Sequence, residues 1–133
     1  MQHSNLIYVA SPYTSPKRRI EEIRNIEVAV AMGYLMNTYT ELSFFSPICH
    51  THPIAVLCKL PGHWEYWKQY DEAMLARSDE IWVLLLDGWE KSKGVQAEIQ
   101  IAQELKLPMK YITPLADGGY EVSEYITSVR LSL

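Results

Sequence analysis

The chain has 133 residues, 48% of them hydrophobic and 21% charged, with a formal net charge of −4 and a sequence pI near 5.5. That length suits one domain spanning residues 1–133, and the acidic balance excludes a general nucleic-acid backbone binder, which needs a basic face. No apolar run reaches the ~20 residues of a bilayer span, so no membrane association is expected.

Met1-Gln2-His3-Ser4-Asn5 has no basic stretch leading into an apolar one, so no secretory signal is visible. Leu6-Ile7-Tyr8-Val9-Ala10 is short, apolar and rich in β-formers, and Ser11-Pro12 stops it; it predicts a buried strand. Ser15-Pro16 offers a cap followed by a proline at the first helical position. A helix to about Asn37 should follow, with Ile23, Ile26, Val30 and Tyr34 at helical spacing. The Lys17-Arg18-Arg19 cluster near its start is too short to signal nucleic acid. Residues 43–46 predict a second strand, stopped by Pro47. Residues 48–62 are interrupted by Pro53, Pro61 and Gly62 and read as loop with a helical turn. Loops of that length in compact domains are usually functional.

A helix over 63–78 comes next, and Asp71 lies in the middle of its face of Trp64, Trp67, Met74 and Leu75. Residues 81–86, Ile-Trp-Val-Leu-Leu-Leu, lack alternation, the mark of a strand covered on both faces. After Asp87-Gly88 and the loop holding Trp89, residues 92–106 predict another helix. Glu98 falls within about 60° of Gly94, Ile101, Ala102 and Leu105 at ~100° per residue. That stripe should face the core, where an unpaired carboxylate costs several kcal/mol. Residues 109–112 predict a fourth strand, and 122–131 a closing helix or irregular tail. Strands alternating with helices imply a three-layer sandwich, flavodoxin-like or Rossmann-like, with a parallel sheet of four or five strands. Ligands then bind at the carboxyl ends of the strands. The loop after Ala10, Asp87 and the start of the Glu98 helix all lie on that edge.

Ile7-Tyr8-Val9-Ala10-Ser11-Pro12-Tyr13, Tyr70-Asp71, Ser78-Asp79, Leu86-Asp87-Gly88 and Ser92-Lys93-Gly94-Val95-Gln96-Ala97-Glu98-Ile99 together resemble the nucleoside 2-deoxyribosyltransferase-like family. The resemblance covers about two thirds of the chain. The family's usual Ser-Gly-Thr before its glutamate is here interrupted by Lys93, a departure at the turn that meets sugar or phosphate. The resemblance implies a Glu98 nucleophile, with Tyr8, Asp71 and Asp87 near the substrate. It also implies a homo-oligomer, dimer or tetramer, in which a neighbour helps close the site.

N-glycoside cleavage passes through an oxocarbenium-like state that one carboxylate can attack while a second acid assists the leaving base. Asp71 and Asp87 are candidates for sugar contacts and for protonating that base; Tyr8 is a natural hydrogen-bond partner for Glu98. Ser11, Pro12 and Tyr13, with Ser92 and Gly94 at a helix start, suit a sugar or a 5′-phosphate. Trp89, in a loop, is read as a base-stacking or interface residue. Cys49, His50, His52, Cys58 and His63 invite a zinc reading, but their spacings match no familiar site. No metal and no cofactor are expected, and two cysteines suit reduced thiols in the cytoplasm. The sequence therefore points to cleavage or transfer at the N-glycosidic bond of a nucleoside or nucleoside 5′-monophosphate. The alternative is a non-catalytic module that binds a nucleotide or sugar phosphate.

Overall fold

The structure is a computed structural model and describes residues 3–126. Its centre is a five-stranded sheet ordered β2-β1-β3-β4-β5. The strands are β1 (Leu6–Ala10), β2 (Ser43–Phe45), β3 (Glu80–Leu84), β4 (Met109–Pro114) and β5 (Tyr120–Ser123). The first four are parallel, and β5 returns antiparallel on β4, with Ile112 opposite Val122. This is the flavodoxin-like order in a mostly parallel sheet covered by four helices. The antiparallel edge arises because only five residues join β4 to β5, too few for the crossover that a parallel pair requires. Gly118, at φ +89, turns that connection. Of the tail over 122–131, the first two residues finish β5, and residues 127–131 lie outside the described residues.

The strand pleat sorts the core into two layers. Ile7, Val9, Trp82, Leu84 and Ile112 face α1 (Arg18–Thr38), against Val28, Ala31, Met32 and Leu35. Tyr8, Ala10, Ile81 and Val83 face the opposite way. They meet Leu75 of α3 (Trp64–Ala76) and Val95 and Ala102 of α4 (Lys93–Glu104). Tyr8 is thus on the same side of the sheet as Asp71 and Glu98.

Three sequence expectations change. The inward face of α1 is not the one carrying Ile23, Ile26 and Val30, which are 41%, 61% and 59% exposed. Its first half instead turns Glu21 inward, and Arg24 reaches the loops at the sheet edge. α1 also starts at Arg18 without a side-chain cap; Ser15 Oγ accepts from the Lys17 N–H at 3.2 Å, ahead of the helix. Finally, the stretch read as loop contains a full helix, α2 (Pro47–Cys58). Ser46 caps it by accepting from the Cys49 N–H at 3.1 Å, and Pro47 fits its first turn. Pro53 removes a single N–H inside it, and Lys59 ends it in the left-handed region.

Candidate active site

Glu98 shares the inward stripe of α4 with Val95 and Ala102 and is only 4% exposed. Ser92 sets the register of that helix by accepting from the Val95 N–H at 3.2 Å. From the sheet, Tyr8 donates its hydroxyl to Glu98 Oε2. No cation pairs with Glu98 among the described residues. On α3, Asp71 lies one turn before Leu75 on the inward face and is 8% exposed.

Electrostatics follows from this burial. Desolvation raises the Asp71 pKa from 3.8 to about 7. Desolvation also pushes Glu98 well above its ordinary value, the negative Asp71 adds to that, and the hydrogen bond from Tyr8 opposes it. The Tyr8 phenol is held protonated by burial first and by the Glu98 charge second. Two carboxyls on one pocket resist carrying two charges, so their titrations are coupled.

Both carboxyls line a cavity of about 320 Å3. The β1–α1 loop supplies Ser11, Tyr13 and Thr14; α2 supplies Ile48, Thr51, His52 and Ala55. The start of α3 adds Trp64 and Trp67, and the start of α4 adds Ser92, Lys93 and Gly94. The hydroxyl of Ser11, 5% exposed, has no hydrogen-bond partner among the described residues. Trp67 Nε1 donates to the Pro61 carbonyl at 2.7 Å and Thr14 Oγ1 to the Gly62 carbonyl at 2.6 Å, which pins the α2–α3 connection to the rim. At the mouth, Lys93 Nζ lies 2.5 Å from Glu65 Oε2, joining the first turns of α3 and α4.

Glu98, Asp71, Ser11, Tyr13, Ser92 and Gly94 are therefore brought to one cavity, with Tyr8 directly behind Glu98. Three other candidates are placed elsewhere. Asp87 is exposed and does not line the cavity; its carbonyl accepts from Arg24 Nη2 at 3.4 Å. Pro12 is buried outside the lining. Trp89 is not a loop tryptophan open to a ligand. Gly88, at φ +91, turns the chain inward, and the indole is buried in the core beside Tyr111.

Sequence reasoning missed the α2 wall and the brace that holds the edge. Ile48, Thr51, His52 and Ala55 follow i, i+3, i+4, i+7 spacing, a signal broken on paper by Pro53. Arg24 Nη1 donates to the carbonyls of Tyr13 at 3.2 Å and Thr14 at 3.0 Å, while its Nη2 holds the Asp87 carbonyl. Glu21 Oε2 accepts from the Ser15 N–H at 3.2 Å. Two inward charges of α1 thus fix the loop that carries Ser11 and Tyr13.

The histidines and cysteines do not gather into a metal centre. Among the described residues no three of His, Cys, Asp or Glu are grouped to hold an ion. His50 stacks on Tyr70, His52 bonds Tyr13, and His63 caps α3 by accepting from the Tyr66 N–H. That cap uses the Nδ1 lone pair, so the 3.8 Å approach of Glu65 to the same nitrogen is not a charged pair. Lys17, Arg18 and Arg19 lie outside the cavity lining. Cys49 and Cys58 are both free. No described helix is long and apolar enough to cross a membrane.

Residues 5–112 match a family described as a domain of unknown function, DUF1937, and the chain belongs to that family. No curated protein matches it.

Proposed function

We propose that this member of the DUF1937 family cleaves, or transfers across, the N-glycosidic bond of a nucleoside or nucleoside 5′-monophosphate, with Glu98 as the nucleophile. One observation carries the reading. A carboxylate 4% exposed, with a tyrosine hydroxyl as its hydrogen-bond partner and no cation beside it, faces a cavity it shares with a second buried acid. A carboxylate at such depth is costly unless paired or neutralised, and a strongly perturbed one facing a cavity marks a functional-site candidate. The ~320 Å3 volume is at the small end of ligand sites, about 300–1,000 Å3.

The Tyr8 hydroxyl donates to a Glu98 oxygen and so opposes the burial that raises that carboxyl's pKa, assisting the ionisation that attack requires. Asp71, protonated up to about pH 7, then donates to a sugar hydroxyl on the same side. Trp64, Trp67 and Ile48 offer apolar surface for a base. The polar lining contributed by Ser11 and by the start of α4 with Lys93 supports a 5′-phosphate. The sugar goes to water in a hydrolase and to a second base in a transferase.

The test is base release from deoxynucleosides and their 5′-monophosphates. Glu98→Gln is expected to lose roughly 10³-fold or more; a variant as active as the wild type removes the nucleophile. A second reading, binding without chemistry, is favoured by the Lys93–Glu65 pair, which lies across the turn where the family pattern is interrupted. It expects a nucleotide that raises the melting temperature and is recovered intact after hours. Two further expectations belong to this proposal. The free cysteines support a cytoplasmic setting, and the exposed apolar row on α1 supports a homo-oligomer.

A further inference from the structure

The reading above leaves the departing base without an acid, and the sequence offered Asp71 and Asp87 for that role. Asp87 does not line the cavity. Asp71 stands with the nucleophile: α3 packs on α4, and its charge acts directly on Glu98. A carboxylate that attacks the anomeric carbon approaches opposite the leaving group. In that reading Asp71 is already engaged with a sugar hydroxyl and shares its charge with Glu98, so the proton for the base is sought on another wall.

α2 is such a wall, and His52 is its one titratable residue on the cavity. Tyr13 Oη and His52 Nδ1 are 2.6 Å apart, with the rings edge to face at a centroid distance of 5.5 Å. Resting on the glycosidic reading, we propose that His52 is the general acid that protonates the leaving base, and that Tyr13 is the residue that positions it. With Nδ1 engaged by Tyr13, Nε2 is the ring nitrogen left for a ligand; it has no hydrogen-bond partner among the described residues. Burial, and after it the negative Glu21, keep the Tyr13 phenol protonated, so it serves as a neutral hydrogen-bond partner. His63, the other histidine on the cavity, also has its Nδ1 engaged, as the cap of α3, but its side chain is 57% exposed at the rim.

The step balances. A Glu98 carboxylate oxygen forms the bond to C1′ as the C1′–N bond breaks, and that bond's electron pair goes to the base. The Nε2 proton of the His52 imidazolium passes to a ring nitrogen of the base, N7 in a purine. His52 is left neutral, keeping its second proton on Nδ1, where it donates to the Tyr13 oxygen.

The experiment compares base release from a purine deoxynucleoside 5′-monophosphate and from its 7-methyl derivative. The derivative's ring is already cationic and leaves without a proton. His52→Gln is expected to lose about 10²–10⁴-fold on the ordinary substrate and less than about 3-fold on the 7-methyl one. His52→Asn, which keeps an amide nitrogen near the Nδ1 position, should show the same split, and Tyr13→Phe a smaller version of it. Equal losses on both substrates in both histidine variants would make the role structural and overturn the proposal; so would an undiminished rate on the ordinary one. Failure of the underlying reading looks different: the wild-type protein releases base from neither substrate, or Glu98→Gln cleaves the 7-methyl compound as fast as the wild type. The acid assignment falls with it in either case.

Discussion

Asp71 gives the pH dependence its sign. Well below its ordinary value of 3.8 the carboxyl is protonated in the folded and the unfolded chain, and its burial carries no ionic cost. Between its ordinary value of 3.8 and the folded value of about 7, the unfolded chain releases the proton while the folded one retains it. Stability then falls as pH rises, by up to about 1.4 kcal/mol per pH unit. Above pH 7 the full penalty, on the order of 4 kcal/mol, remains. Asp71→Asn is therefore expected to raise the unfolding free energy by a few kcal/mol at pH 8 and to leave it nearly unchanged at pH 4. Urea titrations at the two pH values measure this, and a gain of the same size at both would place the cost outside ionisation. At this scale Glu98 and Asp71 were legible because helical spacing alone turns them inward. Trp89 was not, since its direction depends on the positive φ of Gly88.

Among the elements, α1 inverts what hydrophobicity implies. Ile23, Ile26 and Val30 are the apolar row, yet the first half of the helix turns Glu21 inward and sends Arg24 to the sheet edge. The loops there present carbonyl and N–H groups that need partners, and the two charged side chains supply them. Gly88 fits the same brace: a Cβ on it would lie 2.8 Å from Arg24 Nη2, and its φ is +91. Gly88→Ala is expected to cost about 1–2 kcal/mol from the backbone alone and more if Arg24 leaves its carbonyls. Chemical denaturation reads the loss, and a cost under a few tenths of a kcal/mol would mean the turn adopts another conformation. α2 escaped the sequence because Pro53, Pro61 and Gly62 look like loop punctuation. A proline inside a helix costs about 3 kcal/mol in isolation, and here the cap at Ser46 and the packing of Ile48 and Ala55 offset it.

Among the described residues, the outer side of α1 carries an uncovered apolar surface. Ile26, Val30 and Met36, each more than half exposed, join Ile23 on the outer side of α1, away from the cavity. If that surface holds copies of the chain together, Ile26→Glu is expected to convert the oligomer to monomer in sedimentation equilibrium. A wild-type protein already monomeric at high concentration would remove the expectation. The sequence by itself determined the alternation of strands and helices, the central parallel strands and the inward turn of two acids. Those features depend on periodicity, which is local. Tertiary structure alone decided that Asp71 reaches the same cavity as Glu98, that Asp87 and Trp89 stay out of it, and that His52 comes in. These depend on strand order and on single backbone dihedrals, which bring together residues up to ninety positions apart and leave no period in the chain.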